Sequence, residues 1–146
     1  MMQFDMNHVI ILDDEEPTRE MMLRVARSIG YSAVGVSNRA AFEIAVADQF
    51  PTIVVLDLVL GREDIWPVID FLRKRRYAGG VILTSGYDHR LLELTAAQAR
   101  EHGMQVVGTV EKGLGQGKLG QLLERQFVGA RPAKLAEQAD GASSSH

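Results

Sequence analysis

The sequence predicts an α/β fold in which one parallel sheet carries helices on both faces. Short runs of consecutive apolar, mostly β-branched residues recur along the 146-residue chain, as in Val9-Ile10-Ile11-Leu12 and Val81-Ile82-Leu83. Runs without polar alternation mark strands buried on both faces. Between them lie segments with apolar residues at helical spacing, bounded by cap and stop signals. Strict alternation of the two implies parallel strands joined by right-handed crossovers. A third observation is chemical: the run Thr52-Ile53-Val54-Val55-Leu56-Asp57-Leu58 carries a lone carboxylate where its strand should end.

Taken in order, His8 to Leu12 is the first strand and runs straight into Asp13-Asp14-Glu15-Glu16. Pro17 suits the first turn of a helix, Met21, Met22, Val25, Ala26 and Ile29 give it an apolar stripe, and Gly30 fits its stop. Ala33 to Val36 is a short strand. Ser37 is the expected N-cap of a helix reaching Asp48, with Ala41, Phe42, Ala45 and Val46 inward. Pro51 closes that segment before the Asp57 strand. Val59 to Asp64 reads as a loop turning at Gly61. Ile65, Val68, Ile69 and Leu72 form the stripe of a third helix, whose end Arg73-Lys74-Arg75-Arg76 is basic and complements the helix dipole.

After Gly79-Gly80, Val81 to Leu83 leads into Thr84-Ser85-Gly86. Asp88 caps a long helix carrying Leu91, Leu92 and Leu94 and stopped at Gly103. Gln105 to Val110 leads into Glu111-Lys112-Gly113, and a last helix presents Leu119, Leu122, Leu123 and Phe127. The expected domain is 1–128. Residues 129–146 are rich in Ala, Ser, Gly and charge, without an apolar stripe, and read as a disordered tail or linker.

Composition narrows the function classes. The net charge of −3 argues against a nucleic-acid surface, which is usually basic. The absence of cysteine removes disulfides, thiolate chemistry and Cys-based zinc sites. The four His are scattered without ligand spacing. No signal peptide is visible and no apolar run reaches the ~20 residues of a membrane helix, so no membrane association and a cytoplasmic location are expected.

Parallel strands place their C-terminal ends on one edge, where open α/β sheets bind ligands. Asp13-Asp14, Asp57, Thr84-Ser85 and Lys112 all arrive there. Each alone has a blander reading: an acidic first turn, a strand-end cap, a hydroxyl on backbone, a surface lysine. Together they make a different set. Clustered carboxylates need a cation, and oxygen donors without His or Cys suit Mg²⁺. A hydroxyl and an ammonium opposite suit a phosphoryl group, and phosphoryl transfer needs mainly positioning and charge neutralisation.

From His8 to Phe127 this constellation resembles the receiver domain of two-component response regulators. The resemblance rests on Asp13-Asp14, on Asp57 in VVLDLVL, on Ser85-Gly86 in ILTSGY and on Lys112 in VEKG, with Asp64 where an Asp is common. It implies a flavodoxin-like five-stranded sheet of order 2-1-3-4-5. It implies that Asp57 accepts a phosphoryl group from a histidine kinase or histidine phosphotransfer protein. Asp14, Asp57 and the Val59 carbonyl would hold Mg²⁺ directly and Asp13 through water, while Ser85 and Lys112 would bind phosphoryl oxygens. Thr84 stays open as the alternative switch hydroxyl. Gly86, Tyr87 and Thr109 would modulate the site.

Four positions depart from the family pattern: Gly61 replaces a proline, Ile65 a glycine, Gly113 a proline, and Thr109 the usual aromatic switch residue. The expected activity is restricted to the protein's own phosphorylation and dephosphorylation. The readout would pass to an effector protein or to an output domain outside this chain, and a homodimer is compatible with it. Two alternatives stay open: a small Mg²⁺-dependent phosphohydrolase and a pseudo-receiver that only docks partners.

Overall fold

The computed structural model describes residues 6–86, 88–113 and 116–129. Its main sheet is five-stranded and parallel. β1 (His8–Leu12) pairs with β2 (Ser32–Val36) on one side and β3 (Ile53–Asp57) on the other. β6 (Gly80–Ser85) pairs with β3, and β7 (Gln105–Glu111) closes the far edge. The order β2-β1-β3-β6-β7 is the expected 2-1-3-4-5, once the two short strands after β3 are numbered separately.

Those strands correct one expectation. Val59 to Asp64 is not an open loop but a hairpin, β4 (Val59–Leu60) against β5 (Glu63–Asp64), with Val59 opposite Asp64. Gly61 makes the turn with φ 63°, a left-handed conformation that glycine adopts without a Cβ penalty. Leu60 and Ile65 anchor the hairpin in the core.

The helices are α1 (Glu16–Ile29), α2 (Arg39–Asp48), α3 (Trp66–Lys74), α4 (His89–Glu101) and α5 (Gln116–Gln126). Two apolar layers sandwich the sheet. Ile10, Leu12, Val54, Leu56, Val81 and Leu83 meet α2, α3 and α4 on one face. Val9, Ile11, Ile53, Val55, Ile82 and Val110 meet α1 and α5 on the other. Alternate residues of each strand feed opposite layers, as the pleat requires.

Two helix assignments shift. The N-cap of α2 is Asn38 rather than Ser37: its side chain accepts from the Ala41 amide at 2.8 Å. On α4, capped by Asp88 as expected, Leu92, Thr95, Ala96 and Ala99 face inward, while Leu91 and Leu94 are exposed. Leu91 is about 100° out of phase with Leu92, and the small residues at 95, 96 and 99 let the helix approach the sheet. The expected tail lies outside the described residues apart from Gly129. Among the described residues no helix is long and apolar enough to cross a membrane.

Candidate functional site

The loops after β1, β3, β6 and β7 enclose a cleft of about 460 Å³ at the C-terminal edge of the sheet, lined by Asp14, Glu15, Asp57, Val59, Ser85, Gly86 and Lys112 among others. Strand register builds it. Asp57 lies opposite Thr84, and Ser85 opposite Glu111, so one carboxylate, one hydroxyl and the residue before Lys112 reach the same level. The Leu58 amide donates to the Thr84 carbonyl and the Lys112 amide to the Ser85 carbonyl, both at 2.9 Å, which extends the ladder into the loops.

Lys112 is the hub. Its Nζ lies 2.8 Å from Asp57 Oδ2, 2.8 Å from Asp13 Oδ2 and 3.1 Å from Glu15 Oε1. The Asp13 contact is close but misaligned for a hydrogen bond, and among the described residues that fully buried oxygen has no other donor. Asp13 Oδ1 accepts from the Glu15 amide at 2.8 Å. Asp57 Oδ1 accepts from the Val59 amide at 3.3 Å, and Asp14 Oδ2 from the Gly61 amide at 2.8 Å. Asp13 and Asp57 are buried and Asp14 is exposed.

Burial raises the Asp57 carboxyl above its ordinary value; Lys112 pulls it down and the neighbouring Asp13 charge adds to the rise. For Lys112, burial works against the ammonium, but its close contacts with the Asp13 and Asp57 carboxylates and their charges outweigh that and hold it above the usual lysine value. The Asp57 carboxylate is thus short of positive charge even with the ammonium in contact. Carboxylate oxygens of Asp13, Asp14 and Asp57 all lie within 4.8 Å of one another. This set of hard donors, with one buried oxygen lacking an aligned partner, fits an oxygen-preferring divalent cation.

The two hydroxyls separate by the alternation of the strand. Ser85 lines the cleft. Thr84 lies on the opposite side, beside Met21, Met22 and Leu119, with its hydroxyl 3.5 Å from the Leu56 carbonyl. Gly86 leaves room at the mouth, since a Cβ there would stand 3.8 Å from Lys112 Cδ. Thr109 is buried and donates to Glu93 Oε1 at 3.1 Å, which ties β7 to α4. Tyr87 lies outside the described residues. Sequence reasoning missed Glu15 as a third carboxylate on Lys112 and Gly61 as the donor to Asp14. Glu15 stood within the acidic run, and what singles it out is its place at the N-cap of α1, facing the cleft.

No protein-family model and no curated protein matches the chain. Solved structures do. A response regulator from Colwellia psychrerythraea superposes with a TM-score of 0.71 at 26% identity, over 82% of this chain and 95% of that one. The fold and the polar edge coincide in one architecture. This is the receiver-domain fold. The receiver domain of NtrX from Brucella abortus matches with a TM-score of 0.70 at 22% identity, over 84% of this chain and 99% of that one. A longer NtrX structure matches over 92% of this chain but only 29% of its own length. The resemblance read from Asp13-Asp14, Asp57, Ser85 and Lys112 is thus matched by a backbone likeness over 82% of the chain.

Proposed function

We propose that this receiver-type chain is a phospho-acceptor switch of two-component signalling. An Asp57 oxygen attacks the phosphorus of a phosphohistidine donor, the P–N bond breaks, and the departing imidazole takes a proton. The observation that carries this reading is the Lys112 ammonium held between Asp57 and Asp13, in the same cleft as the exposed Asp14. Lys112 and Ser85 bind phosphoryl oxygens. Gly86 keeps the approach open.

Asp13, Asp14, Asp57 and the Val59 carbonyl would hold Mg²⁺, which when bound neutralises charge on the transferred group. The partners are a histidine kinase or phosphotransfer protein upstream and an effector or output domain downstream, and a cytoplasmic location goes with them. Beyond its own phosphorylation and dephosphorylation the chain is not an enzyme.

Intact mass after incubation with acetyl phosphate and Mg²⁺ tests the proposal. The expected result is one phosphoryl adduct on the wild type and none on Asp57→Asn. An equal adduct on the variant overturns the assignment of Asp57. Steady hydrolysis of a simple phosphate ester by catalytic amounts of protein favours the phosphohydrolase reading instead.

A further inference from the structure

Arg19 sits on the first turns of α1 beside four consecutive acids at positions 13–16. Among the described residues it nevertheless pairs with no carboxylate. Its Nη1 donates instead to the main-chain carbonyl of Asp13 at 2.8 Å. On the other side of the same residue, the Asp13 amide donates to the Val36 carbonyl of β2 at 3.0 Å. A peptide unit is planar, so holding the Asp13 carbonyl fixes the plane that carries the nitrogen and Cα of Asp14. The Asp13 side chain has its own restraints in the Glu15 amide and Lys112. Asp14 is exposed and reaches the Gly61 amide with its tip. Where the Asp14 carboxylate stands relative to Asp13 and Asp57 therefore depends on the peptide that Arg19 holds.

The edge strand makes room for this reach. A Cβ on Gly35 would stand 3.0 Å from Arg19 Cγ, 3.1 Å from Arg19 Cδ and 2.9 Å from Leu23 Cδ1. The bare glycine is the bed on which the arginine stem crosses from α1 to the loop after β1.

We propose that Arg19 is a positioning residue for the cation centre: it orients the Asp13–Asp14 peptide so that the Asp14 carboxylate faces Asp13 and Asp57. This rests on the reading of those acids as a cation centre. The clamp and a bare charge effect have opposite signs. As a mere positive charge near the acids, Arg19 would weaken cation binding, and removing it would tighten binding. As a clamp, its removal weakens binding, by the roughly tenfold or more typical of groups that orient metal ligands.

The test is calorimetric Mg²⁺ titration of the full chain, with the Gly61 amide resonance and the melting temperature recorded without Mg²⁺. Arg19→Met keeps most of the stem and removes the donor. Arg19→Lys keeps the charge and part of the reach. Gly35→Ala crowds the stem without touching the guanidinium. The expected result is about tenfold weaker Mg²⁺ binding for Arg19→Met, a shifted Gly61 resonance and little change in melting. Arg19→Lys should fall between it and the wild type, and Gly35→Ala should move in the same direction as Arg19→Met. Equal or tighter binding by Arg19→Met overturns the clamp. So does a large loss of melting temperature with the Gly61 resonance unmoved, which makes Arg19 purely structural. A wild type that takes up no Mg²⁺ overturns the cation reading and the proposal with it. That outcome is distinct from failure of the clamp alone, where wild type and variant bind equally well.

Discussion

At the C-terminal edge of the sheet Asp13, Asp57 and Lys112 bring charge out of water, whereas at the N-terminal edge Tyr31, Thr52 and Tyr77 bring neutral hydroxyls. The neutral groups find single, well-placed partners. Tyr31 donates to the Leu123 carbonyl at 2.6 Å, Tyr77 to the Gly80 carbonyl at 3.2 Å, and Thr52 exchanges bonds with the His8 main chain at 3.0 and 3.1 Å. Asn7 adds a reciprocal pair with Val128. Such bonds satisfy buried polar atoms without the desolvation cost of an ion. The charged edge has the opposite balance: a carboxyl raised by burial and an ammonium shared among three acids. Buried ion clusters are weak contributors to stability. The N-terminal edge holds the fold closed, and the C-terminal edge carries a charge imbalance that a ligand can relieve.

The sharpest way to break this contrast is Asp57→Asn. The phosphoryl adduct should vanish altogether, yet the fold should not suffer. Asp57 has a raised folded-state pKa, so the native state favours its protonated form. Any stability it lends is present below its ordinary value of 3.8 and is lost as pH rises through the higher folded value. At neutral pH the ionised group is a burden, and a neutral amide escapes it while Lys112 keeps Asp13 and Glu15. Melting at pH 7 should hold steady or rise by about 2–4 °C, the shift roughly 1 kcal/mol produces in a domain of this size. A clear fall in melting would mean that the acceptor stabilises the fold and that the two edges do not differ as described.

At the other edge the reverse should hold. Tyr77→Phe leaves the Gly80 carbonyl without its side-chain donor and should cost about 1–3 kcal/mol, measured by urea unfolding, with phosphoryl uptake per folded molecule unchanged. A third comparison lies within β6 itself. Ser85→Ala should slow phosphoryl uptake by about tenfold, the worth of one charge-assisted hydrogen bond of roughly 1.4 kcal/mol. Thr84→Val, facing α1 and α5, should leave uptake alone. Rates from acetyl phosphate decide it, and a larger effect at Thr84 would transfer the switch role to that hydroxyl.

How far each edge is legible in the sequence follows from the kind of signal it leaves. Asp57 and Lys112 stand out because a charged residue closing an unalternated apolar run is not there to fill the core, and parallel topology brings such ends together. The hairpin from Val59 to Asp64 does not, because two-residue strands leave no periodicity and Gly61 signals only a turn. Leu91 and Leu94 mislead because their size draws the eye while their phase puts them outside; the inward positions of α4 include Thr95 and two alanines. Glu15 is hidden in a run of acids whose members differ only in which way the first turn of α1 points them. Tyr31 carries no local signal, since its partner Leu123 is distant in sequence, and Tyr77 bonds a main-chain carbonyl at the start of β6, which no side-chain pattern announces.

The smallest expected effect concerns alkaline stability, where the buried phenols of the neutral edge add to a loss at Lys112, whose ammonium is likewise held above its usual value. Burial pushes the Tyr31 phenol from 10.0 up to about 12 and raises Tyr77 as well. A raised folded-state value means that the unfolded chain releases its proton first. The contribution is therefore complete below about pH 10, shrinks above it, and is gone once pH passes the folded value near 12. Unfolding free energy should decline over that window in the wild type. Tyr31→Phe should be less stable at pH 7 through loss of the bond to the Leu123 carbonyl, but its decline above pH 10 should be shallower, and Tyr31→Phe combined with Tyr77→Phe shallower still. Urea titrations at a series of pH values from neutral to 12, read by circular dichroism, give the slopes. Asp57→Asn should also decline less steeply than the wild type, because it removes part of what holds the Lys112 ammonium above its usual value, whereas the phenylalanine variants leave that part untouched. If the phenylalanine variants kept the full alkaline decline, the buried phenols would not be the groups whose ionisation opens the N-terminal edge.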